Sequence, residues 1–210
     1  MDLGNPAASV LDGVSGAVLT VLAKTTLPLT GPTIASISQT RVSRAGVNRV
    51  MAELVNSGLV TAVQAGKAKL YSLNRVHVAA HAIEELASLR EVLLQRIRDQ
   101  VASWGNSPIS VVLFGSMARG DGSASSDVDL LIVRKSSLDP DDSAWSADMA
   151  DLTELVQAWS GNRCELLEYS QVELKALAQT REPLIESIRA EGLSLYGLSV
   201  AALLGRGKRS

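Results

Sequence analysis

The sequence is poor in aromatic residues, and it contains one cysteine and two histidines. Phe, Trp and Tyr make up 3% of the 210 residues, so a hydrophobic core must be built from Leu, Val, Ile and Ala. A lone cysteine, Cys164, excludes an internal disulfide framework and is typical of a reducing compartment. His77 and His81 have the spacing of zinc ligands on a helix, but no Glu follows His77 and no third ligand is evident nearby. This pattern favours exposed or capping histidines.

Long hydrophobic runs and a basic leader are also missing. Asp12, several glycines and Lys24 interrupt the early apolar stretch. We therefore expect neither a signal peptide nor a membrane span, and we expect a cytoplasmic protein without a membrane partner.

The net charge of −2 is unevenly distributed along the chain. Residues 1–75 carry seven Lys and Arg against three Asp and Glu, whereas residues 106–210 carry ten against fifteen. This asymmetry predicts two modules with different partners. Residues 76–105 have a long helical pattern that predicts a connecting helix. This helix either packs on the second module or pairs two copies in a homodimer.

The first module has the pattern of three helices followed by a hairpin. Apolar spacing, turn residues and a capping serine predict helices over 10–23, over 33–38 and from Ser43 onward, and strands over 59–60 and 70–73. This order resembles the winged helix-turn-helix fold. The resemblance implies DNA binding, with dimerisation or protein docking as the alternatives.

In such folds the third helix reads base edges and the hairpin contacts phosphates. The candidate DNA-binding residues are Arg41, Ser43, Arg44, Asn48, Arg49, Lys67 and Lys69. The positive charge of residues 1–75 is modest for a stand-alone DNA-binding protein, and a homodimer would double it.

In the second module, a polar loop lies between two short apolar runs rich in β-branched residues. The two runs, residues 109–113 and 128–133, predict buried strands. Gly115 and Ser116 end the first strand. A strand ending in Gly-Ser lets the backbone and a hydroxyl approach a phosphate without a side-chain clash.

Asp127 and Asp129 share one face of the second predicted strand, with Cα atoms roughly 6.5–7 Å apart. Two carboxylates on a buried strand repel each other and lose solvation unless a positive charge joins them. Oxygen ligands beside a phosphate loop suit Mg²⁺, which takes one or two protein carboxylates and leaves positions for substrate phosphates. The sequence therefore predicts a metal–nucleotide site.

Gly115-Ser116, ten intervening residues and Asp127-Val-Asp129 together resemble the signature of the DNA polymerase beta nucleotidyltransferase superfamily. The residues Met117-Ala-Arg-Gly that follow, with Ser126, resemble its minimal nucleotidyltransferase branch. The resemblance covers roughly residues 106–170. It implies an α/β (α+β) fold class, with a small mixed sheet flanked by helices in residues 106–210.

The superfamily places a third carboxylate on the following strand, where Glu165 stands instead of the usual aspartate. Glu168 lies three residues further and so on the opposite strand face. The resemblance implies that Asp127, Asp129 and Glu165 are catalytic and hold Mg²⁺ or Mn²⁺. It also implies a nucleoside triphosphate, with ATP as the first candidate. The candidate nucleotide-binding residues are Gly115, Ser116, Arg119 and Ser126.

The function implied is transfer of a nucleoside monophosphate from the triphosphate to an acceptor. The minimal branch includes antitoxins that modify a partner toxin, alongside enzymes acting on small molecules and RNA, so a cognate toxin is one candidate acceptor. The alternative is a winged-helix transcription regulator or antitoxin whose second module only senses nucleotide or mediates assembly.

Overall fold

The computed structural model describes residues 7, 10–11, 13–38, 43–120, 122–123, 125–180 and 182–205. The chain divides into two compact units, Asp2–Arg90 and Glu91–Ser210. Both combine helices with one small sheet, so the predicted mixed α/β class is confirmed. Within the described ranges, no helix is both long and apolar enough to cross a bilayer.

The unit Asp2–Arg90 contains the predicted helices and hairpin, with one additional two-residue strand. Its elements are α1 (Gly13–Ala23), β1 (Leu29–Thr30), α2 (Gly31–Ile37), α3 (Arg44–Asn56), β2 (Val60–Ala65), β3 (Ala68–Leu73) and α4 (Ala80–Ala87). The strand order is β1-β3-β2, and both pairings are antiparallel.

Capping side chains fix the starts of α2 and α3. The Thr30 side chain accepts from the N–H of Thr33, and the Ser43 hydroxyl accepts from the N–H of Gly46 at 3.0 Å. The helices bury a shared core that includes Val18, Leu22, Ile34, Val47 and Met51. This core leaves the opposite face of α3 exposed.

The prediction of a single connecting helix over residues 76–105 is wrong, because the structure has two helices there. The chain forms α4, then breaks at Ser88, and continues as α5 (Leu89–Ala102) in the second unit. The Ser88 N–H and hydroxyl both bond the carbonyl of Glu85, and the N–H also reaches that of Glu84. A serine that bonds nearby carbonyls competes with regular helix hydrogen bonding.

The unit Glu91–Ser210 is built around a mixed four-stranded sheet. After α5 come β4 (Ser110–Phe114), α6 (Gly115–Arg119), β5 (Val128–Arg134), α7 (Ser143–Ser160), β6 (Cys164–Ser170), α8 (Gln171–Leu177), α9 (Pro183–Glu191), β7 (Leu193–Gly197) and α10 (Val200–Leu204). The order is β6-β5-β4-β7, with β5 and β6 parallel and the other pairs antiparallel. The mixed sheet flanked by helices is therefore confirmed.

The two faces of this sheet have different partners. On one face, Leu131 and Val133 of β5 pack with Leu174 of α8 and Ile185 and Ile188 of α9. On the other face, Glu168 of β6 accepts a hydrogen bond from the indole N–H of Trp145 in α7. Since side chains alternate along a strand, Asp129 lies in the same row as Leu131 and Val133.

Candidate active site

Gly115 marks the point where β4 ends and the backbone turns into α6. Its φ of +69° is in the left-handed region, which favours glycine. The preceding residue, Phe114, pairs with Asp129 across β4 and β5. A Cβ built on Gly115 would overlap Oδ2 of Asp129. Only a glycine lets the backbone come this close to the carboxylate.

The sheet register brings Asp129 beside Glu165. β5 and β6 are parallel, and Asp129 pairs directly with Glu165. Asp127 lies just before β5, two residues from Asp129, and all three side chains are half-buried. Asp127, Asp129 and Glu165 thus gather at the same end of the sheet, where β4 ends and where β5 and β6 begin.

The electrostatics of this end are dominated by negative charge. Burial raises the pKa of Asp129 above its usual value, and the nearby charges of Asp127 and Glu165 raise it further. The Arg119 guanidinium acts in the opposite direction and lowers the Asp129 pKa. Burial and the two neighbouring carboxylates therefore outweigh the effect of Arg119, and the net shift of the Asp129 pKa is upward.

Arg119 closes α6, and its guanidinium is already engaged. Its Nη1 lies 2.7 Å from Oε2 of Glu191, at the end of α9. Buried Met117 anchors α6, and Ser116 is half-buried on the same short helix. Sequence reasoning missed Glu191, because nothing in the spacing of α9 connects it with residue 119.

Ser126 belongs to a serine-rich turn directly before Asp127. Its hydroxyl accepts a hydrogen bond from the N–H of Ser123 at 2.9 Å, and its carbonyl accepts one from the side chain of Asn162. Ser126 therefore shapes the turn that carries Asp127. Asn162 stands three residues before Glu165 in the chain.

Glu165 and Glu168 differ in position as the strand alternation predicts. Oε1 of Glu165 lies 2.8 Å from Nη2 of Arg163, on the aspartate side. Glu168 lies on the opposite face, 2.8 Å from Nε of the largely buried Arg134. Across the described stretches, no group of three or more Asp, Glu, His or Cys side chains is arranged to hold a metal ion. A metal here would need oxygens from a bound substrate.

Cys164 directly precedes Glu165 in β6, and its side chain is buried. Burial raises the pKa of its thiol to about 12, and the charges of Asp129 and Glu165 add to the effect. Cys164 is therefore protonated at neutral pH and serves as a small core residue.

The candidate DNA-binding residues belong to the unit Asp2–Arg90, and Arg41 lies outside the described residues. The others are exposed on α3, at its cap or on the β2–β3 hairpin: Ser43, Arg44, Asn48, Arg49, Lys67 and Lys69. Asn48 and Lys69 line one cleft, together with Tyr71. The ammonium of Lys69 is 6.0 Å from the centre of the Tyr71 ring, and sequence reasoning did not single out Tyr71.

In the described part of the chain, no group of three or more metal-ligating side chains contains His77 or His81. Nδ1 of His77 accepts a hydrogen bond from the N–H of Ala79 at 3.1 Å, and Nε2 of His81 lies 3.5 Å from Oε1 of Glu85. His77 thus bonds the backbone just before α4, and the side chain of His81 is exposed.

One family model matches part of the second unit. Residues 94–180 match the model of the nucleotidyltransferase domain. No curated protein matches the sequence.

Three solved structures are similar to part of the chain. One is a toxin–antitoxin structure with AMP-PNP, with 16% identity over 53% of this chain and 80% of that chain and a TM-score of 0.38. The other two are mutants of the toxin–antitoxin MntA–HpeT. One has 15% identity over 53% of this chain and 80% of that chain, with a TM-score of 0.38. The second has 17% identity over 53% and 78%, with a TM-score of 0.36.

Proposed function

We propose that residues 106–210 catalyse metal-dependent transfer of a nucleoside monophosphate from a nucleoside triphosphate to an acceptor, and that residues 1–75 bind DNA. The observation that carries the first part is the approach of the Gly115 backbone to the Asp129 carboxylate. Asp127 and Glu165 gather at the same end of the sheet. The nucleotidyltransferase domain over residues 94–180 supports the reaction class.

Asp127 and Asp129 would hold Mg²⁺, or Mn²⁺, with phosphate oxygens of the substrate completing the coordination. The residues fit such an ion, because neighbouring negative charges and burial raise the pKa of Asp129. Two protein carboxylates are also the usual number in a Mg²⁺–nucleotide site. The bound metal would supply positive charge to the reacting phosphate and its leaving pyrophosphate.

Gly115, Ser116, Arg119 and Ser126 would receive the triphosphate. Gly115 presents backbone without a side chain, and Ser116 offers a hydroxyl one residue further on. Arg119 offers a guanidinium that suits phosphate oxygens, although it must first release Glu191. Ser126 would act through the turn it stabilises.

Glu165 would serve the acceptor side of the reaction. Glu165 pairs with Asp129 across β5 and β6 and its side chain is half-buried, which supports a role in taking the proton of an attacking hydroxyl or in completing the metal site. The attacking oxygen bonds to the α-phosphorus, the bond to pyrophosphate breaks, and the acceptor proton leaves. ATP is the first nucleotide to test, and a partner protein such as a cognate toxin is the first acceptor.

Label transfer tests the reaction directly. The protein is incubated with Mg²⁺ and each labelled triphosphate in a cell extract, and transfer of label and release of pyrophosphate are measured. Asp127→Asn should reduce transfer at least about 100-fold, because it removes a ligand charge. Asp151→Asn, an exposed change on α7, is the matched control. No transfer with any of four triphosphates would contradict the proposal.

The DNA-binding part rests on the first unit. Three helices followed by a hairpin are the arrangement of a winged helix-turn-helix domain, and Asn48 and Lys69 line one cleft between α3 and β3. A homodimer would double the positive charge available to DNA. The lone reduced cysteine, Cys164, supports a cytoplasmic location for such a protein.

Binding of the protein to its own promoter region, measured against salt concentration, tests this part. Lys67→Ala or Lys69→Ala should each lower the slope of log K against log salt by about 1, because each removes one phosphate contact. Combining Arg44→Ala with Arg49→Ala should abolish sequence preference. Lys24→Ala, which removes an exposed basic side chain directly after α1, is the control. Absent or salt-insensitive binding would remove this part of the proposal.

A second candidate function is a regulator or antitoxin whose nucleotidyltransferase domain only senses nucleotide or mediates assembly. The Arg163 contact of Glu165 favours it, because a carboxylate paired with arginine is less available as a base. Nucleotide binding without label transfer, together with promoter binding that changes with nucleotide, would establish this function.

A further inference from the structure

Asp127 differs from Asp129 in how it is supported. Asp129 belongs to β5, where strand pairing fixes its backbone on both sides. Asp127 lies outside the strand and follows a turn of glycine and serine residues. A carboxylate on such a turn needs separate support, because a metal ligand displaced by about 1 Å contributes much less to binding and catalysis.

That support comes from the segment between α7 and β6. The side chain of Asn162 donates a hydrogen bond of 2.9 Å to the carbonyl of Ser126, the residue before Asp127. The carbonyl of Arg163 accepts a hydrogen bond of 2.8 Å from the N–H of Val128, the residue after Asp127. Asp127 is therefore bracketed by two hydrogen bonds from consecutive residues.

Asn162 is itself held firmly. It is only 2% exposed. Gly161 ends α7 with a φ of +73°, and the N–H of Asn162 donates to the hydroxyl of Ser160 at 3.0 Å. The Ser160 hydroxyl in turn donates to the carbonyl of Val156 at 2.7 Å. The turn is thus anchored to the last part of α7.

We propose that Asn162 is a positioning residue for Asp127, and that it couples the placement of Asp127 to that of Glu165. The coupling follows from the covalent chain, because Glu165 lies three residues after Asn162, on β6, where it pairs with Asp129 of β5. One short segment therefore orients two of the three carboxylates. This inference rests on the proposed function, because it assigns a reason for the placement of Asp127.

The experiment compares Asn162→Ala and Asn162→Asp with the matched control Ser160→Ala. The Asn162 changes remove the donor to Ser126, whereas Ser160→Ala loosens the same turn without removing that donor. Two readouts are taken: calorimetric titration with Mn²⁺ and a non-hydrolysable ATP analogue, and amide exchange of residues 122–130 in the protein without metal. Neither readout depends on catalytic turnover.

Both Asn162 variants should bind Mn²⁺–nucleotide about fivefold more weakly, the factor that corresponds to one hydrogen bond of about 1 kcal/mol. Amide exchange over residues 122–130 should become faster by a similar factor. Ser160→Ala should lower the melting temperature while leaving affinity within about twofold of the wild type.

The outcomes separate the two proposals. Unchanged affinity and exchange in the Asn162 variants would overturn the positioning role, and so would an equal loss of affinity in Ser160→Ala. In both cases a strong loss of Mn²⁺–nucleotide binding in Asp127→Asn would leave the proposed function intact. If Asp127→Asn binds as the wild type does, Asp127 is not a ligand, and the metal site and the role of Asn162 fail together.

Discussion

The backbone of Gly115 contacts the carboxylate of Asp129 so closely that a methyl group on Gly115 would overlap Oδ2. The turn at the end of β4 and the start of β5 are thus in direct contact. This contact depends on two features at once: the positive φ of Gly115 and the pairing of Phe114 with Asp129. It gives the first testable prediction.

Gly115→Ala should abolish nucleotide transfer and destabilise the second unit. Alanine at positive φ costs roughly 1–2 kcal/mol, and the collision with Asp129 adds to that cost by displacing the carboxylate. Transfer rate and melting temperature measure the two effects. Gly205→Ala is the control, because Gly205 has a φ of +73° and open space around it. Normal transfer by Gly115→Ala would show that the close approach is unimportant.

Asp129→Asn should abolish transfer yet stabilise the protein at neutral pH. The pKa of Asp129 is raised above its ordinary value in the folded protein. The protonated carboxyl of Asp129 therefore favours the folded state at low pH, and this contribution is lost as the pH rises through the raised pKa. The advantage of the variant should therefore increase as the pH rises from about 4 towards 7.

Thermal melts across this pH range, with and without Mg²⁺, check the prediction. Added Mg²⁺ should stabilise the wild type more than Asp129→Asn, because only the wild type keeps both aspartate charges. A variant less stable than the wild type throughout the range would contradict the raised pKa.

Glu191→Gln should strengthen nucleotide binding. In the proposed function, the ion pair of 2.7 Å between Arg119 and Glu191 would compete with the triphosphate for the guanidinium. A partly exposed pair contributes up to about 1 kcal/mol, so its loss should lower the dissociation constant by up to about fivefold. Glu186→Gln, on the same helix and paired with Arg189, is the matched control. Weaker binding in Glu191→Gln would instead mean that Glu191 orients Arg119 for the phosphate.

Glu168→Gln should lower stability while leaving the transfer rate of the folded protein unchanged. Glu168 lies on the sheet face opposite Asp129, where it accepts from Trp145 and lies 2.8 Å from Nε of buried Arg134. Neutralising one partner of such a pair should cost about 1–3 kcal/mol of unfolding free energy. Denaturant unfolding measures the cost, and Glu154→Gln, at an exposed position of α7, is the control. A fall in the transfer rate of the folded protein would assign Glu168 to the site.

Sequence periodicity was sufficient for most elements, because apolar spacing and turn residues act locally. The strands around the Gly115-Ser116 loop and the capping role of Ser43 were expected and are present. The prediction of one long helix over residues 76–105 was wrong. The apolar spacing continues across Ser88, but the helical conformation of the backbone is interrupted there. The roles of the site residues remain predictions.

The sequence by itself determined which residues are candidates for binding a metal and a phosphate, because Gly115, Ser116, Asp127 and Asp129 are close together in the chain. Only the tertiary structure decided what surrounds them. The pairing of Asp129 with Glu165, the ion pair of Arg119 with Glu191 and the hydrogen bond from Asn162 to Ser126 all join residues at least 36 positions apart. Such contacts depend on strand order and helix packing, which local periodicity does not encode.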